Sequence, residues 1–311
     1  MRGVNERSAH LNATPSPLSC CWNVLDGADV IGVGEDAHGD TVSWPWRMAI
    51  VGRLLDEGFN LDILCENMDV YVDTRRHGIT PNYLRGGKRF YPNMLPRSDT
   101  TRWHLDMTRA FMALPRSRVR FFGTDVQQLS FDFARLAMRA PVRRAFEERD
   151  IHRRWLRSSS RSRSGGALRN RLNAEVIARF AESAKVRPHK TKILYFAHNE
   201  HVSTGCVQSR KDPTYVTEGA WMRRLFPHLR YVAIATTSFR LWNVWDSDKP
   251  RLRKGIKYTQ EDGASGHRDV IIVSDCGDTA ASNTRLIVDM ENYTSRDFDC
   301  TIVQKDSERP V

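Results

Sequence analysis

Short apolar runs alternate along the chain with stretches of helical periodicity, after a polar opening segment. Several runs are nearly continuous in apolar residues, which is typical of strands that are covered on both faces. Strands that alternate with helices predict an α/β fold. We therefore expect a three-layer sandwich with a mostly parallel central sheet. The predicted strands are residues 29–34, 61–65, 119–123, 192–197, 231–235 and 270–273.

The same pattern predicts the domain organisation. Residues 1–20 lack apolar periodicity and are expected to form a flexible arm, and residues 21–311 are expected to form a single α/β domain. A basic, helix-prone region at about 126–190 is expected to be an insertion in that domain. Within it, the Arg/Ser/Gly run at 157–166 indicates an exposed loop.

The C-terminal part of the chain has a weaker pattern. Residues 255–267 are expected to form a loop. The tail from about residue 276 is polar apart from the apolar run at 286–288, which predicts a late edge strand. Neither stretch contains residues that indicate chemistry.

A helix is predicted between the first two strands. Its buried stripe, with the spacing i, i+4, i+7 and i+11, consists of Trp44, Met48, Val51 and Leu55. Pro45 suits the first turn of this helix, and Gly58 suits its C-terminal stop. Arg47 lies at the edge of the stripe, where its side chain can reach toward the ends of the strands.

Composition and charge narrow the class of protein. The 311 residues can bury a core without support from disulfides or metals. We attribute the formal net charge of +11 to a basic surface, because no recognised nucleic-acid motif accompanies it. The six cysteines include no CxxC pair, so reduced thiols are expected. No segment resembles a signal peptide or a membrane span, so we expect a cytoplasmic protein.

Polar side chains directly follow four of the predicted strands. They are Glu35 and His38 after the first, Glu66 after the second, Asp125 after the third, and His198 and His201 after the fourth. Ligands of open α/β sheets bind in the crevice outside the carboxyl ends of the strands. If these strands are parallel neighbours, the acids and histidines converge on one crevice.

This combination of residues suits hydrolysis. Histidine is the usual general base near neutral pH, and a carboxylate beside it stabilises the imidazolium that forms. Glu35 and Glu66 can divide the roles of orienting a histidine and binding a water, while Arg47 can face a developing oxyanion. Because there is no GxSxG elbow, direct attack by an activated water is expected. The same residues are acceptable ligands for zinc, iron or manganese, and the residues alone do not decide between these uses.

Several segments resemble, in the right order, motifs of the erythromycin esterase-like family. They are residues 31–39 (IGVGEDAHG), which resemble its opening motif; Arg47 in the first helix; Gly58-Phe59 with Leu64-Cys65-Glu66, similar to its "GF…E" strand; residues 122–125 (FGTD), similar to its "F-G-x-D" strand end; residues 196–202 (FAHNEHV), similar to its "AHNxH" motif; and residues 225–237, which resemble the strand that follows. The resemblance covers roughly residues 25–240, and five ordered blocks are far more specific than one.

The resemblance implies hydrolysis of an ester, typically a macrolide lactone, by a water that histidine activates, without a metal or a cofactor. It carries over Glu35, His38, Arg47, Glu66, His198 and His201 as site residues. In this picture His38 is the base and Glu66 positions it or the water. Arg47, His198 and His201 line the cleft and stabilise charge on the carbonyl oxygen, with Asp125 and Asn199 at the substrate or supporting the site.

The resemblance also implies a helical insertion that roofs the cleft over the carboxyl ends of the strands. The stretch between Glu66 and His198 is shorter than in the macrolide esterases, so the identity of the ester substrate is left open.

Two other interpretations of the function also stay open. One is a metal- or haem-binding relative, because His198 and His201 stand beside two glutamates. The other is a basic binding protein on a degenerate core, based on the charge of +11 and the basic stretch at 153–171. The expected partner is a small-molecule ester rather than nucleic acid, and the oligomeric state stays open.

Overall fold

The computed structural model describes most of an α/β core. The described residues are 22, 24–36, 42–69, 110, 113–125, 165–205, 215–243, 251–254, 257–260, 270–274, 286–290, 293–294 and 297–306. The helices among them are α1 (Ser43–Asp56), α2 (Gly165–Lys185), α3 (Asn199–Val202) and α4 (Glu218–Leu225). The strands are β1 (Val30–Glu35), β2 (Asn60–Asp69), β3 (Val119–Asp125), β4 (Thr191–His198), β5 (Tyr231–Asn243), β6 (Arg251–Lys254), β7 (Lys257–Gln260), β8 (Val270–Ser274), β9 (Leu286–Met290), β10 (Tyr293–Thr294) and β11 (Cys300–Asp306). The predicted arm at 1–20 lies outside the described residues.

The central sheet is mostly parallel, as predicted. Its strand order is β3-β2-β4-β1-β5-β11-β8, with β6 paired to β5. The strands from β3 to β11 in that order are parallel neighbours, whereas β8 and β6 run antiparallel to β11 and β5. A smaller antiparallel sheet has the order β10-β9-β7. β1 therefore lies inside the large sheet, where its continuous apolar run is buried.

Helices cover both faces of the large sheet and complete the three layers. α1 packs Ile50 and Leu54 against a face that includes Ile31. α2 packs Ile177 against the opposite face, which includes Tyr195, and α4 lies on that same face. Burying each aliphatic side chain of this size contributes about 1.5–3 kcal/mol, so these two layers of contacts account for the position of the helices.

The buried face of α1 differs from the predicted stripe. Met48 and Leu55 are only partly buried, whereas Arg47 is fully buried between Trp44 and Ile50 on the inward face. Trp44 and Val51 of the predicted stripe are buried as expected. Arg47 was expected only at the edge of the stripe, because hydrophobicity alone does not place an arginine inside, whereas here the buried Glu35 pairs with it. The helix ends at Asp56, and Gly58 follows with a φ of 87°, as the predicted stop requires.

The described part of the predicted insertion is α2. This helix lies on a face of the sheet, and its N-terminal half reaches the carboxyl end of β2 through Arg169. The rest of the insertion predicted at 126–190, including the run at 157–164, lies outside the described residues. Among the described helices, none combines the length and apolarity that crossing a membrane requires.

The C-terminal part contains more strands than predicted. The edge strand at 286–288 is confirmed as β9, but it belongs to the small sheet, and the predicted loop at 255–267 contains β7. β11 is a buried strand of the central sheet that was not predicted, because polar residues surround it in the tail. Its Cys300 forms a disulfide, so the expectation of reduced thiols is wrong there. Cys65 is a buried free thiol, and burial raises its pKa to about 12.

Candidate active site

The carboxyl ends of β1 and β4 lie side by side, at the edge where open α/β sheets bind their ligands. The two strands are parallel neighbours, and Glu35 lies opposite His198 in their register. β1 leads into α1 on one face of the sheet, whereas β4 leads into α3 and α4, which pack on the other face. Because the chain leaves these adjacent strands in opposite directions, the site lies at a topological switch point.

The alternation of side chains along the strands divides the predicted site into two clusters. Glu35 has the same parity as Ile31 and points to the face covered by α1. Glu66 has the same parity as Leu64 and points to the face covered by α2 and α4. The single crevice expected from the sequence is therefore two buried polar clusters, one on each side of the sheet edge, with His198 between them.

On the α1 side, Arg47 and Glu35 form a fully buried ion pair. Nη1 of Arg47 lies 3.0 Å from Oε2 of Glu35, and neither side chain is exposed to solvent. The guanidinium also donates to the carbonyls of Val33 and Ala197, each at 3.0 Å from Nη2. It stacks on the ring of Phe196, 5.0 Å from the centroid. Arg47 thus connects the last residues of β1, including Glu35, to the last residues of β4.

On the other side, His201 lies between two carboxylates. Its Nε2 is 3.0 Å from Oε1 of Glu66, and its Nδ1 is 2.7 Å from Oε2 of Glu218. Arg169 approaches the same Oε1 of Glu66 at 3.6 Å, and Asn173 donates to Oε1 of Glu218 at 3.2 Å. We call Glu66, His201 and Glu218 the Glu–His–Glu cluster; its three side chains are almost completely buried.

The surroundings of His201 favour its charged form. Burial by itself lowers the pKa of the imidazole, but Glu218 and Glu66 together outweigh this effect and raise that pKa well above its ordinary value. Since the pKa is higher in the folded than in the unfolded protein, the imidazolium stabilises the fold fully below about pH 6.5. That stabilisation is lost as the pH rises through the pKa of the folded state.

His198 connects the two clusters through hydrogen bonds of its backbone and its ring. Its backbone N–H donates to Oε2 of Glu66 at 2.9 Å, and its Nε2 lies 2.7 Å from the carbonyl of Asp36. Its Nδ1 accepts from the N–H of Glu200 at 3.3 Å, so the tautomer that fits carries its proton on Nε2. The carboxylate of Asp36 in turn accepts from the hydroxyl of Thr237 at 3.0 Å. His198 therefore ends β4 and caps α3.

Of the three remaining predicted site residues, the structure describes the side chain of Asn199 but not those of Asp125 and His38. Asn199 is fully buried and its amide group pairs with the backbone of Thr236, at 2.9 Å to the carbonyl and 3.3 Å from the N–H. Asp125 ends β3, beside β2 at the same sheet edge, but its side chain lies outside the described atoms. His38 falls in residues 37–41, which the structure does not describe.

Two charged residues of this region were not predicted. Glu218 and Arg169 lie on helices rather than at strand ends. Glu218 follows Thr217, whose hydroxyl accepts from the N–H of Ala220, so the sequence signal there is that of an ordinary helix start. Only the packing of α4 and α2 against the sheet brings these charges to Glu66 and His201.

Comparisons with known proteins bear on both the fold and the family. The sequence model of the erythromycin esterase family matches residues 131–262. A mutant of the erythromycin esterase EreC in its open conformation is similar in structure, with a TM-score of 0.56 and 15% identity over 94% of this chain and 94% of that chain. A succinoglycan biosynthesis protein gives a TM-score of 0.57 with 12% identity over 94% of this chain and 91% of the other. At sequence identities this low, the structural similarity shows a shared fold alone.

Other comparisons add little. A haem-binding protein, ChaN of Campylobacter jejuni, covers 69% of this chain with a TM-score of 0.31, too low to transfer any property. No curated protein sequence matches the chain.

The family match and the strand-end motifs cover different parts of one sheet edge. The matched range contains the Ala197–His201 segment of β4 and α3, and the motif at 31–39 continues from β1, the parallel neighbour of β4. The fold shared with EreC joins the two segments. Part of the chain is therefore similar in sequence to the erythromycin esterase family, and the chain shares its fold with the erythromycin esterase EreC.

Proposed function

We propose that the chain hydrolyses a carboxylic ester or lactone with a water that His38 activates, without a covalent intermediate. The observation that carries this proposal is the position of Glu35, Glu66 and His198 at the carboxyl ends of three adjacent parallel strands, β1, β2 and β4. Charged and titratable groups held at a switch point between strands suit proton transfer and stabilisation of an oxyanion.

His38 is the proposed base because of what surrounds it in the sequence. It follows Glu35 by three residues. Asp36, two residues before it, is held at its backbone carbonyl by His198 and at its carboxylate by Thr237. A histidine that acts as the base needs a carboxylate that positions it or the water, and positive charge near the developing oxyanion. Glu66 supplies the carboxylate that positions the base or the water, and the His201 imidazolium with Arg169 supplies positive charge.

The rival interpretation, a metal or haem site on the same residues, has less support from their contacts. Both ring nitrogens of His198 and both of His201 are engaged in hydrogen bonds or ion pairs. Within the part of the chain that the structure describes, no group of three or more His, Cys, Asp or Glu side chains has an arrangement that could hold a metal ion. We therefore favour hydrolysis over a bound metal.

Replacing His38 by alanine is expected to lower ester hydrolysis by about 100-fold or more, since general base catalysis contributes about 10²–10⁴-fold. The measurement is kcat/KM on a panel of aryl esters, alkyl esters and small and macrocyclic lactones. His189→Ala, at an exposed histidine, is the matched control and should retain the wild-type rate. A wild-type protein that hydrolyses no member of the panel, or an undiminished rate in His38→Ala, would contradict the proposal.

A further inference from the structure

Glu218 is a buried acid that the proposed chemistry does not use. It lies in the first turn of α4, on a different element from the strand-end residues, and none of its surface is exposed. A carboxylate is buried at a cost unless its partners compensate it, so its contacts indicate what it does. One of its oxygens faces His201 and the other accepts from Asn173.

Close packing fixes the position of Glu218. The next residue, Gly219, leaves no room for a side chain, because a Cβ there would collide with the carbonyls of Val202 and Ser203 at the end of α3. The hydroxyl of Thr217 bonds back to the carbonyl of Ser203. The first turn of α4 is therefore pressed onto the segment that carries His201.

With both carboxylates ionised, the geometry of the Glu–His–Glu cluster fits only the doubly protonated form of the histidine. A neutral imidazole carries a proton on one ring nitrogen and a lone pair on the other. In His201 each ring nitrogen faces a carboxylate oxygen, at 2.7 Å and at 3.0 Å. A neutral ring would direct its lone pair at one of these oxygens, whereas an imidazolium donates to both.

We propose that Glu218 is a positioning residue that keeps His201 doubly protonated, so that the Nε2–H of His201 donates to Glu66 and fixes that carboxylate at the sheet edge. Part of this inference, the use of Glu66 in the reaction, rests on the proposed function. The hold of Glu218 on His201 is a property of the folded protein and is measurable without any substrate.

The other ionisable groups around the cluster do not supply this hold. Arg169 on α2 faces Glu66, and its positive charge disfavours a positive charge on the imidazole ring of His201. Tyr195 on β4 and Tyr231 on β5 lie close enough to Glu218 to interact with it electrostatically, and burial raises the pKa of both phenols well above the ordinary value, which leaves them neutral. Among the described residues, the anionic partners of the ring are Glu218 and Glu66.

The test is the titration of His201 followed by NMR of ¹⁵N-histidine-labelled protein. In the wild type, both ring nitrogens should stay protonated through neutral pH. In Glu218→Gln, which keeps the shape and removes the charge, the midpoint should fall by about 1–3 pH units. The control is Glu182→Gln, which removes the carboxylate from an exposed pair with His228, 3.1 Å apart, and should leave the His201 titration unchanged.

Two results would overturn the proposal. One is a His201 that is neutral at pH 7 in the wild type, a measurement that stands even if Glu218→Gln does not fold. The other is an unchanged His201 titration in a folded Glu218→Gln protein. Where the wild type hydrolyses an ester, the alkaline limb of the pH–rate profile should move to lower pH in Glu218→Gln and stay in place in Glu182→Gln. A wild type without hydrolytic activity contradicts the proposed function, and the NMR titration still decides the role of Glu218.

Discussion

Replacing Arg47 by methionine is expected to lower the free energy of unfolding by about 3–5 kcal/mol, the usual cost of removing one partner of a buried ion pair. The substitution leaves the Glu35 carboxylate buried without its guanidinium partner. It also removes the donor that Arg47 provides to the carbonyls of Val33 and Ala197. Methionine keeps most of the apolar stem, so the loss reports chiefly on charge and hydrogen bonding. Urea unfolding followed by circular dichroism measures it.

The matched control lies on the same helix. Arg53 pairs with Glu57 one turn further on, in a contact that is 45% and 33% exposed. Because exposed pairs of this kind contribute about 0–1 kcal/mol, Arg53→Met should have little effect. Adding Glu35→Gln to Arg47→Met should restore part of the stability, since the uncompensated charge is then gone. Equal losses in Arg47→Met and Arg53→Met would contradict this account of the α1 side of the site.

Gly34→Ala is the second substitution with a large expected effect, a loss of about 3 kcal/mol through steric strain. A Cβ at Gly34 would lie 2.9 Å from Cα of Asn199 and closer still to the side-chain oxygen of that residue. Backbone atoms at the start of α3 cannot move away without shifting His198 and His201. The glycine in the sequence before Glu35 therefore reflects the close approach of β1 to α3.

Gly52→Ala supplies the comparison for this substitution. Gly52 lies within α1, and a Cβ built there meets nothing within 4 Å. Alanine is favoured over glycine inside a helix by about 0.5–1 kcal/mol, so this variant should melt at or above the wild-type temperature. Thermal unfolding of the two variants side by side gives the result. A Gly34→Ala protein as stable as Gly52→Ala would show that the approach of α3 to β1 is looser than described.

The strands that are easiest to predict are those buried on both faces. β1 and β4 are rich in apolar residues, because successive apolar side chains contact the helical layers on opposite faces in turn. β11 escaped prediction because its buried stretch is short and includes Thr301, while polar residues surround it in the tail. Its place in the sheet comes from pairing with β5, a contact between distant parts of the sequence that no local pattern records.

The site was predictable to the extent that it lies at strand ends. Glu35, Glu66 and His198 each follow an apolar run, and parallel pairing brings those ends to one edge. The division into two faces follows from side-chain alternation but requires the register of the strands. The position of Glu218 on α4 depends on helix packing, so no spacing in the sequence points to its contact with His201.

The central claim, that this sheet edge is a hydrolytic site, is tested most directly by comparing two buried carboxylates of β2. Glu66 lies at the carboxyl end of the strand, whereas Asp62 lies near its start, in ion pairs with Arg120 and Arg187. The measurement is kcat/KM of Glu66→Gln and Asp62→Asn on an ester that the wild type hydrolyses, at a temperature where both variants are folded. We predict a fall of about 100-fold or more for Glu66→Gln and a change within about threefold for Asp62→Asn. Equal losses in the two variants, or wild-type turnover by Glu66→Gln, would contradict the claim.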